Sequence, residues 1–288
     1  MADPGITRLD GRVAMVTGSN TGIGKATATA LAAAGATVVL ACRSEAKTTP
    51  VVDEIRRATG NDDVSFLALD LADLAATKRS AAEWLDGGRP LHLLVNNAGL
   101  AGQRGLTADG FELAFGVNHL GHFLFTTELL PLLRSSTPAR VVNVSSGNHF
   151  RPKRLDLDTV RESTDSFVGL RAYDRSKLCN VLFTMELATR HDPAQLSSFA
   201  VNPGQVASDV WRRLPRPAAL AYQRLARMKT TEAGARSSVF CTVEPGLEAQ
   251  SGSYFDEDCA RRDVNPVATP ELAATLWERS EEWVAPFR

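Results

Sequence analysis

The sequence predicts an α/β fold built on a doubly wound parallel sheet. Short apolar runs recur along the chain, helical patterns separate several of them, and most runs end in glycine, amide or hydroxyl residues. Parallel strands have this appearance because helices cover both faces of the sheet. The predicted strands cover 13–16, 37–42, 64–69, 91–95, 140–144, 198–201 and 252–255.

The first strand leads into a glycine-rich turn and an alanine-rich helix over 25–34, which Gly35 closes. Glycines in such a turn let the chain reverse, let the backbone approach a pyrophosphate and let the helix pack closely on the sheet. The spacing is Gly-x-x-x-Gly-x-Gly rather than the better-known Gly-x-Gly-x-x-Gly, so a plain turn is the alternative. The turn predicts dinucleotide binding.

The second strand is followed at once by Arg43. In NAD-binding proteins of this architecture an acidic residue about 20 positions after the glycine turn binds the ribose hydroxyls, and a basic residue there suits a 2′-phosphate. No Asp or Glu ends this strand. The sequence therefore favours NADP(H) over NAD(H), with a merely solvated arginine as the alternative.

Polar residues also follow the third and fourth strands. Asp70 is placed to accept a hydrogen bond from an adenine amino group, or to cap the next helix. Asn96 and Asn97, followed by small residues, fit a close turn against a ligand, or a turn alone. The carboxyl ends of parallel strands line the ligand crevice of such sheets, so these residues are candidates for the cofactor site.

The strongest chemical signal is a helix that carries Tyr173 and Lys177 one turn apart, after a fifth strand that ends near Ser146. A phenol with a pKa near 10 needs a shift of about 2 to 3 units to exchange protons at neutral pH. An ammonium group about 5 Å away supplies on the order of 3 kcal/mol. The alternative is a tyrosine whose hydroxyl faces water.

The last part of the chain has two further features. The sixth strand ends in a turn at 202–204, and the residues over 207–230 form a predicted substrate lid. Its basic, amphipathic part, 209–229, is either a solvated helix face or a peripheral membrane contact. An amphipathic helix over 270–284 closes the chain.

Composition narrows the class of protein. The 288 residues carry a net charge of -1 from 32 basic and 33 acidic side chains, so we expect a small-molecule partner and no nucleic acid. The 4 cysteines have no metal or disulfide spacing, and His119 and His122 lack further ligands nearby, so we assign no metal. Without a signal peptide or membrane-length apolar run, the prediction is one soluble, cytoplasmic domain over 1–288.

Taken together, these motifs resemble the classical short-chain dehydrogenase/reductase family. The resemblance covers nearly the whole chain and is closest to the branch of retinol dehydrogenase-like and WW-domain oxidoreductase-like proteins. The motifs that carry it lie at 17–25, 41–43, 96–99, 117–123, 145–146, 172–178, 202–208 and 251–259. It implies a single-domain Rossmann fold with about seven parallel strands and helices on both faces, and often a homodimer or homotetramer.

The resemblance also implies roles for individual residues. Tyr173 would exchange a proton with the substrate oxygen, and Ser146 would hydrogen-bond that oxygen. Lys177 would lower the pKa of the phenol and bind the nicotinamide ribose, and Asn118 would hold a water in a proton relay. The cofactor contacts that it implies are Gly18, Ser19, Asn20, Thr21, Gly22, Ile23, Gly24, Arg43, Asp70, Leu71, Asn97, Ala98, Gly99, Tyr173, Lys177, Pro203, Gly204, Val206 and Ser208.

The expected function is an NADP(H)-dependent oxidoreductase that interconverts a carbonyl and an alcohol on a fairly apolar small molecule. Two alternatives stay open. One is a dinucleotide-binding regulatory or interaction protein without significant catalysis, because a fold alone does not give a function. The other is a cofactor-dependent enzyme of different chemistry, such as alkene reduction.

Overall fold

An eight-stranded sheet runs through the computed structural model, which describes residues 7–164, 169–206 and 229–288. The strand order is β3-β2-β1-β4-β5-β6-β7-β8, and all pairs are parallel except β7 with β8. The strands are β1 Val13–Thr17, β2 Thr37–Cys42, β3 Val64–Ala68, β4 Leu93–Asn96, β5 Ala139–Val144, β6 Leu196–Val201, β7 Tyr254–Phe255 and β8 Arg261–Arg262. The predicted parallel sheet of about seven strands is confirmed, and a short antiparallel strand extends it.

Helices cover both faces of this sheet. They are α1 Gly22–Ala33, α2 Glu45–Thr59, α3 Leu74–Asp86, α4 Leu113–Phe115, α5 Gly121–Ser135, α6 Leu170–Arg190, α7 Thr231–Val243 and α8 Pro270–Val284. Alternate residues of β1 belong to two separate cores, with Val13 and Met15 on one side and Ala14 and Val16 on the other. Both faces of the sheet are therefore buried against helices, as the continuous apolar runs predict.

The order of the strands reverses between β1 and β4, which lie side by side at the centre of the sheet. In open sheets of this kind, ligands bind in the crevice at the carboxyl ends of the strands beside such a reversal. Thr17, Asn96 and Val144 end β1, β4 and β5 at this edge. The fold thus places the polar strand ends around one crevice.

Several predicted boundaries differ from the observed ones: β4 is Leu93–Asn96 rather than 91–95, and β7 is Tyr254–Phe255 rather than 252–255. The second helix begins at Glu45, and its first turns carry threonines and Pro50 in place of an apolar stripe. The Thr48 and Thr49 hydroxyls donate to backbone carbonyls one turn back. The closing helix, Pro270–Val284, has the predicted bounds, and the Thr269 hydroxyl oxygen caps it.

A five-residue π-helix, Gly116–Leu120, joins α4 to α5. In it the Gly121 N–H donates to the Gly116 carbonyl, five residues back. Such turns are rare and occur often at functional sites, because they insert an extra residue into the helix. His119, in this π-helix, and His122, the second residue of α5, are both buried.

Most of the predicted lid over 207–230 and of the basic segment over 209–229 lies outside the described residues. Only Lys229 and Thr230 are described. The Lys229 N–H donates to the Gln205 carbonyl, and the Thr230 hydroxyl caps α7. Among the residues that the structure covers, no helix has the length and apolar character needed to cross a membrane.

Candidate active site

The glycine-rich turn between β1 and α1 packs closely against the turn that follows β4. Gly18 has a φ of 63°, and a Cβ on it would lie 2.8 Å from the Ala98 Cα. A Cβ on Gly24 would lie 2.4 Å from the Asn97 Nδ2. Gly22 has a φ of 59°, and a Cβ on it would meet no described atom within 4 Å. Two glycines therefore allow packing, and the third faces open space.

The start of α1 suits the pyrophosphate of a dinucleotide. The Thr21 side chain makes no capping hydrogen bond to the N–H groups of the first turn, which has no acidic residue. The first N–H groups of a helix attract anions, and the missing Cβ of Gly22 lets a ligand approach the backbone. Asn20, Thr21 and Ile23 are half-buried around this cradle.

Ser19 is fully buried inside the same turn. Its N–H donates to the Cys42 Sγ at 3.2 Å, and its hydroxyl donates to the Val16 carbonyl at 2.7 Å. Both donors are thus used within the protein, so Ser19 shapes the turn. Its predicted contact with a cofactor stays a prediction.

Thr17 joins the glycine-rich turn after β1 to the turn after β4 through hydrogen bonds. Its Oγ1 accepts hydrogen bonds from the backbone N–H groups of Asn97 at 3.0 Å and Ala98 at 2.9 Å. The Asn97 side chain returns a bond of 2.8 Å to the Thr17 carbonyl. Gly99 follows, and a Cβ on it would lie 3.4 Å from the Asn118 Oδ1 and 3.5 Å from the Lys177 Nζ. The turn after β4 therefore leads directly to the candidate catalytic residues.

The candidates for the adenosine end lie beyond β2 and β3. Arg43 is exposed and makes no hydrogen bond or ion pair with the described residues. Asp70 accepts a bond from the Ala72 N–H at 3.1 Å, whereas Asp73 caps α3. Capping therefore does not explain Asp70. Leu71 is buried, and its carbonyl oxygen would lie 2.6 Å from a Cβ on Gly121.

Ser146 and Tyr173 meet at the carboxyl end of β5. Ser146 begins a short 3-10 helix, Gly147–Phe150, and its Oγ accepts a bond from the Asn148 N–H at 3.2 Å. Tyr173 lies in the first turn of α6. Burial raises the pKa of the Tyr173 phenol, its hydrogen bond with the Ser146 hydroxyl lowers it, and the charge of Asp174 raises it further. The net direction is upward.

Lys177 lies behind this pair and is buried. Its Nζ donates a hydrogen bond of 2.8 Å to the Val144 carbonyl and lies 5.5 Å from the centre of the Tyr173 ring. Burial lowers the pKa of Lys177 to about 7. A partly neutral amine attracts a phenolate weakly, so the sequence-based expectation of a lowered Tyr173 pKa is not met in the protein alone.

Asn118, in the π-helix, is joined to α6 through its side chain. Its Nδ2 donates to the Ser176 Oγ at 2.9 Å and to the Leu100 carbonyl at 3.0 Å. The Ser176 hydroxyl donates in turn to the Tyr173 carbonyl at 2.7 Å. All four candidate catalytic residues therefore surround the end of β5 and the turn after β4.

Sequence reasoning missed several residues that support this site. Ser145 donates to the Lys177 carbonyl at 2.8 Å, and Asn180 donates to the Val144 carbonyl at 3.0 Å. Ser176 and Thr17 have the linking roles described above. A hydroxyl at a strand end, as in Thr17 and Ser145, was the available signal. Ser176 lies inside the tyrosine and lysine motif, but nothing in its spacing indicates a partner.

The turn after β6 completes the rim of the crevice. The Asn202 Nδ2 donates to the Glu257 carboxylate at 3.2 Å, and its Oδ1 accepts a bond from the Gly204 N–H at 3.0 Å. Pro203 lies between them, and Val206 is buried against Gly234. The last predicted contact, Ser208, lies outside the described residues. Across 7–164, 169–206 and 229–288, no group of three His, Cys, Asp or Glu residues could hold a metal ion.

This fold and crevice define a dinucleotide-binding protein of the Rossmann type, with a serine, tyrosine and lysine set beside the nucleotide cradle. The model of the short chain dehydrogenase family matches residues 12–156. The chain belongs to the short-chain dehydrogenase/reductase family.

Two relatives place it more closely. The chain is 43% identical to retinol dehydrogenase 12 from Homo sapiens over 279 residues, which cover 96% of this chain and 87% of that protein. It is 41% identical to dehydrogenase/reductase SDR family member 13 from Bos taurus over 291 residues, which cover 96% and 74%. The resemblance to the retinol dehydrogenase-like branch is confirmed. The chain is an NAD(P)-dependent dehydrogenase or reductase that acts on alcohol or carbonyl groups.

Solved structures agree with the fold. An uncharacterised protein from Mycobacterium paratuberculosis superposes with a TM-score of 0.77 at 29% identity, covering 98% of this chain and 96% of that one. A 3-oxoacyl (acyl-carrier-protein) reductase from Agrobacterium tumefaciens with NADP bound gives a TM-score of 0.71 at 25% identity, covering 87% and 94%.

Proposed function

We propose that this protein is an NADP(H)-dependent oxidoreductase that interconverts a carbonyl and an alcohol on a fairly apolar small molecule. The observation that carries the proposal is the buried Lys177, whose Nζ donates to the Val144 carbonyl at the end of β5 and lies 5.5 Å from the centre of the Tyr173 ring, while Ser146 follows the same strand. Hydroxyls of Tyr173 and Ser146 at one strand end can both address a single substrate oxygen.

The cofactor site fits NADP(H) on three features. The first N–H groups of α1 and the open side of Gly22 fit a pyrophosphate. Arg43 is exposed just beyond β2, where a 2′-phosphate is recognised in this architecture. The bound NADP(H) would donate or accept the hydride. The Agrobacterium tumefaciens reductase, which has the same fold, holds NADP.

In the reductive direction, the Tyr173 hydroxyl gives its proton to the carbonyl oxygen as negative charge develops there. The Ser146 hydroxyl donates a hydrogen bond to the same oxygen and stabilises that charge. Lys177, when protonated, stabilises the tyrosinate that remains. Asn118 holds a water in the relay that returns a proton to Tyr173 through Lys177. In the oxidative direction each proton moves the opposite way.

A screen of aldehydes, ketones and alcohols with NADPH or NADP, repeated with NADH or NAD, tests the proposal. We expect turnover of apolar members of the panel, with products that differ only at the C–O group. Tyr173→Phe should lose roughly 100-fold or more of kcat, because the proton donor is gone, while NADPH binding stays near normal. Full turnover by this variant would contradict the role of Tyr173.

A serine pair supplies the matched control. Ser146→Ala should lower kcat strongly, whereas Ser135→Ala removes an exposed hydroxyl that donates to the Leu132 carbonyl within its own helix. Equal activity in the two variants would contradict the role of Ser146. NADPH binding without turnover of any compound would favour a regulatory protein, and a saturated C–C product would favour alkene reduction.

A further inference from the structure

His122 is a buried histidine one turn after Asn118, and both of its ring nitrogens have partners. Its Nδ1 lies 3.1 Å from the Asn118 carbonyl oxygen, and its Nε2 lies 2.8 Å from the Thr17 Oγ1. The ring therefore stands between the π-helix and the strand end that holds the glycine-rich turn. The proposed function uses neither contact.

The surrounding hydrogen bonds fix the position of the ring proton. The Thr17 Oγ1 already accepts two backbone N–H groups, from Asn97 and Ala98, so its own proton must be donated. The imidazole Nε2 at 2.8 Å is a much nearer acceptor than the Val95 carbonyl at 3.5 Å. The imidazole Nε2 thus accepts, and its Nδ1 carries the proton and donates it to the Asn118 carbonyl.

The ring is also held in its neutral form. Burial lowers the pKa of His122 to about 4, and the nearby charge of Lys177 acts in the same direction. The hydrogen bond to the Asn118 carbonyl opposes this shift without overcoming it. At neutral pH the imidazole therefore has one N–H to donate and one nitrogen to accept, which matches its two partners.

We propose that His122 is a positioning residue that connects the cofactor-binding turns to the catalytic asparagine. It accepts from the Thr17 hydroxyl, which holds the turn after β4, and it donates to the Asn118 carbonyl in the π-helix. This inference rests on the proposed function, in which Asn118 belongs to the catalytic set. One neutral ring then fixes the distance between two parts of the site that are far apart in the chain.

Substitutions that keep only one of the two contacts should separate two kinetic effects. His122→Gln keeps an acceptor near Nε2 and should preserve the KM for NADPH while lowering kcat. His122→Asn keeps a donor near Nδ1 and should preserve kcat while raising the KM for NADPH. His122→Phe keeps the ring volume but neither contact, and should lose roughly 10- to 100-fold in kcat/KM.

The neighbouring histidine supplies the control. His119 is equally buried, but its Nε2 bonds the Ser280 Oγ at 3.0 Å and its ring packs among aromatic residues. His119→Phe should leave kcat and the KM for NADPH within about twofold of the parent values. The proposal is overturned if the Phe variants at positions 119 and 122 both fold and behave alike. It is also overturned if the Gln and Asn variants show no opposite effects on kcat and KM.

Two measurements do not depend on a substrate. The ¹⁵N chemical shifts of the His122 ring in cofactor-free protein should show a proton on Nδ1, and a proton on Nε2 would overturn the proposal. Fluorescence titration with NADPH should show weaker binding by His122→Asn than by His122→Gln, and the reverse order would also overturn it. If no carbonyl compound is turned over, the proposed function fails while these two results still decide the role of His122.

Discussion

The Nζ of Lys177 donates a hydrogen bond of 2.8 Å to the carbonyl oxygen of Val144, the last residue of β5. The lysine is thus held at the end of a central strand, buried and without a carboxylate partner among the described residues. Burial lowers its pKa from 10.5 to about 7. Its protonation state therefore changes near neutral pH.

NADPH affinity should depend on this titration. Ribose hydroxyls and the negative charge of the cofactor favour the charged lysine, so binding raises the pKa of Lys177 and takes up a proton. As pH rises above 7, affinity should fall by up to about tenfold per pH unit. Titrations of the parent protein and of Lys177→Met from pH 6 to pH 9 test this, and the variant should lack the dependence. Parallel titrations with NADH exclude the 2′-phosphate as its source.

Gly22→Ala should weaken cofactor binding far more than it weakens the fold. The new methyl group would occupy the open cradle, and the φ of 59° costs an alanine about 1 kcal/mol. Gly60→Ala is the matched control, because Gly60 has a φ of 69°, equal open space, and lies at the end of α2. Both variants should lose similar unfolding free energy in urea, and only Gly22→Ala should lose NADPH affinity. Equal NADPH affinity in the two variants would contradict the cradle.

Arg43→Ala should reduce discrimination between the two dinucleotides. A charge-assisted hydrogen bond to a phosphate contributes about 1.5 to 3 kcal/mol, so the Kd for NADPH should rise roughly 10- to 100-fold. The Kd for NADH should change little, because it has no 2′-phosphate. The control is Arg57→Ala, which removes an exposed arginine on α2 and should affect neither Kd. An unchanged ratio of the two Kd values in Arg43→Ala would contradict the role of Arg43 in the NADP(H) preference.

The buried histidines should make the fold sensitive to acid. Burial lowers the pKa of His119 to about 3 and that of His122 to about 4, from a usual 6.5. Between pH 6.5 and pH 4 the unfolded chain binds more protons than the folded one, so stability falls as pH falls. Each histidine contributes up to about 1.4 kcal/mol per pH unit in that window.

Urea unfolding of the parent and of His119→Phe from pH 7 to pH 5 measures this effect. The variant should lose stability less steeply with acid than the parent. Near pH 7 the two should differ little, because His119 leaves a buried Nδ1 without a partner among the described residues. Parallel slopes for the two proteins would show that His119 is protonated in the folded state.

The sheet was predictable from sequence because burial on both faces turns each central strand into an apolar run. The strand ends were predictable for the same reason, since a polar residue there, such as Asp70 or Ser146, interrupts the run. β8 was not predictable, because Arg261 and Arg262 are exposed and form a strand only by pairing with β7. The π-helix likewise has no local signature in residues 116–120.

The links between the site residues could not be read from spacing. Asn118 reaches Ser176, and Thr17 reaches His122, across long stretches of chain that only the folded packing brings together. The direction of the Tyr173 pKa shift could not be predicted from spacing either. Helical spacing correctly places Lys177 one turn away, but the burial of both groups, which sets the direction of the shift, depends on the whole core.

The charged final strand has a consequence for self-assembly. Arg261 and Arg262 line the outer edge of β8, with Arg262 also paired to Asp256. If two copies of the protein joined these edges into one continuous sheet, guanidinium groups from both would be brought together. This charge repulsion disfavours an assembly in which the sheet continues from one copy of the protein into the next across β8.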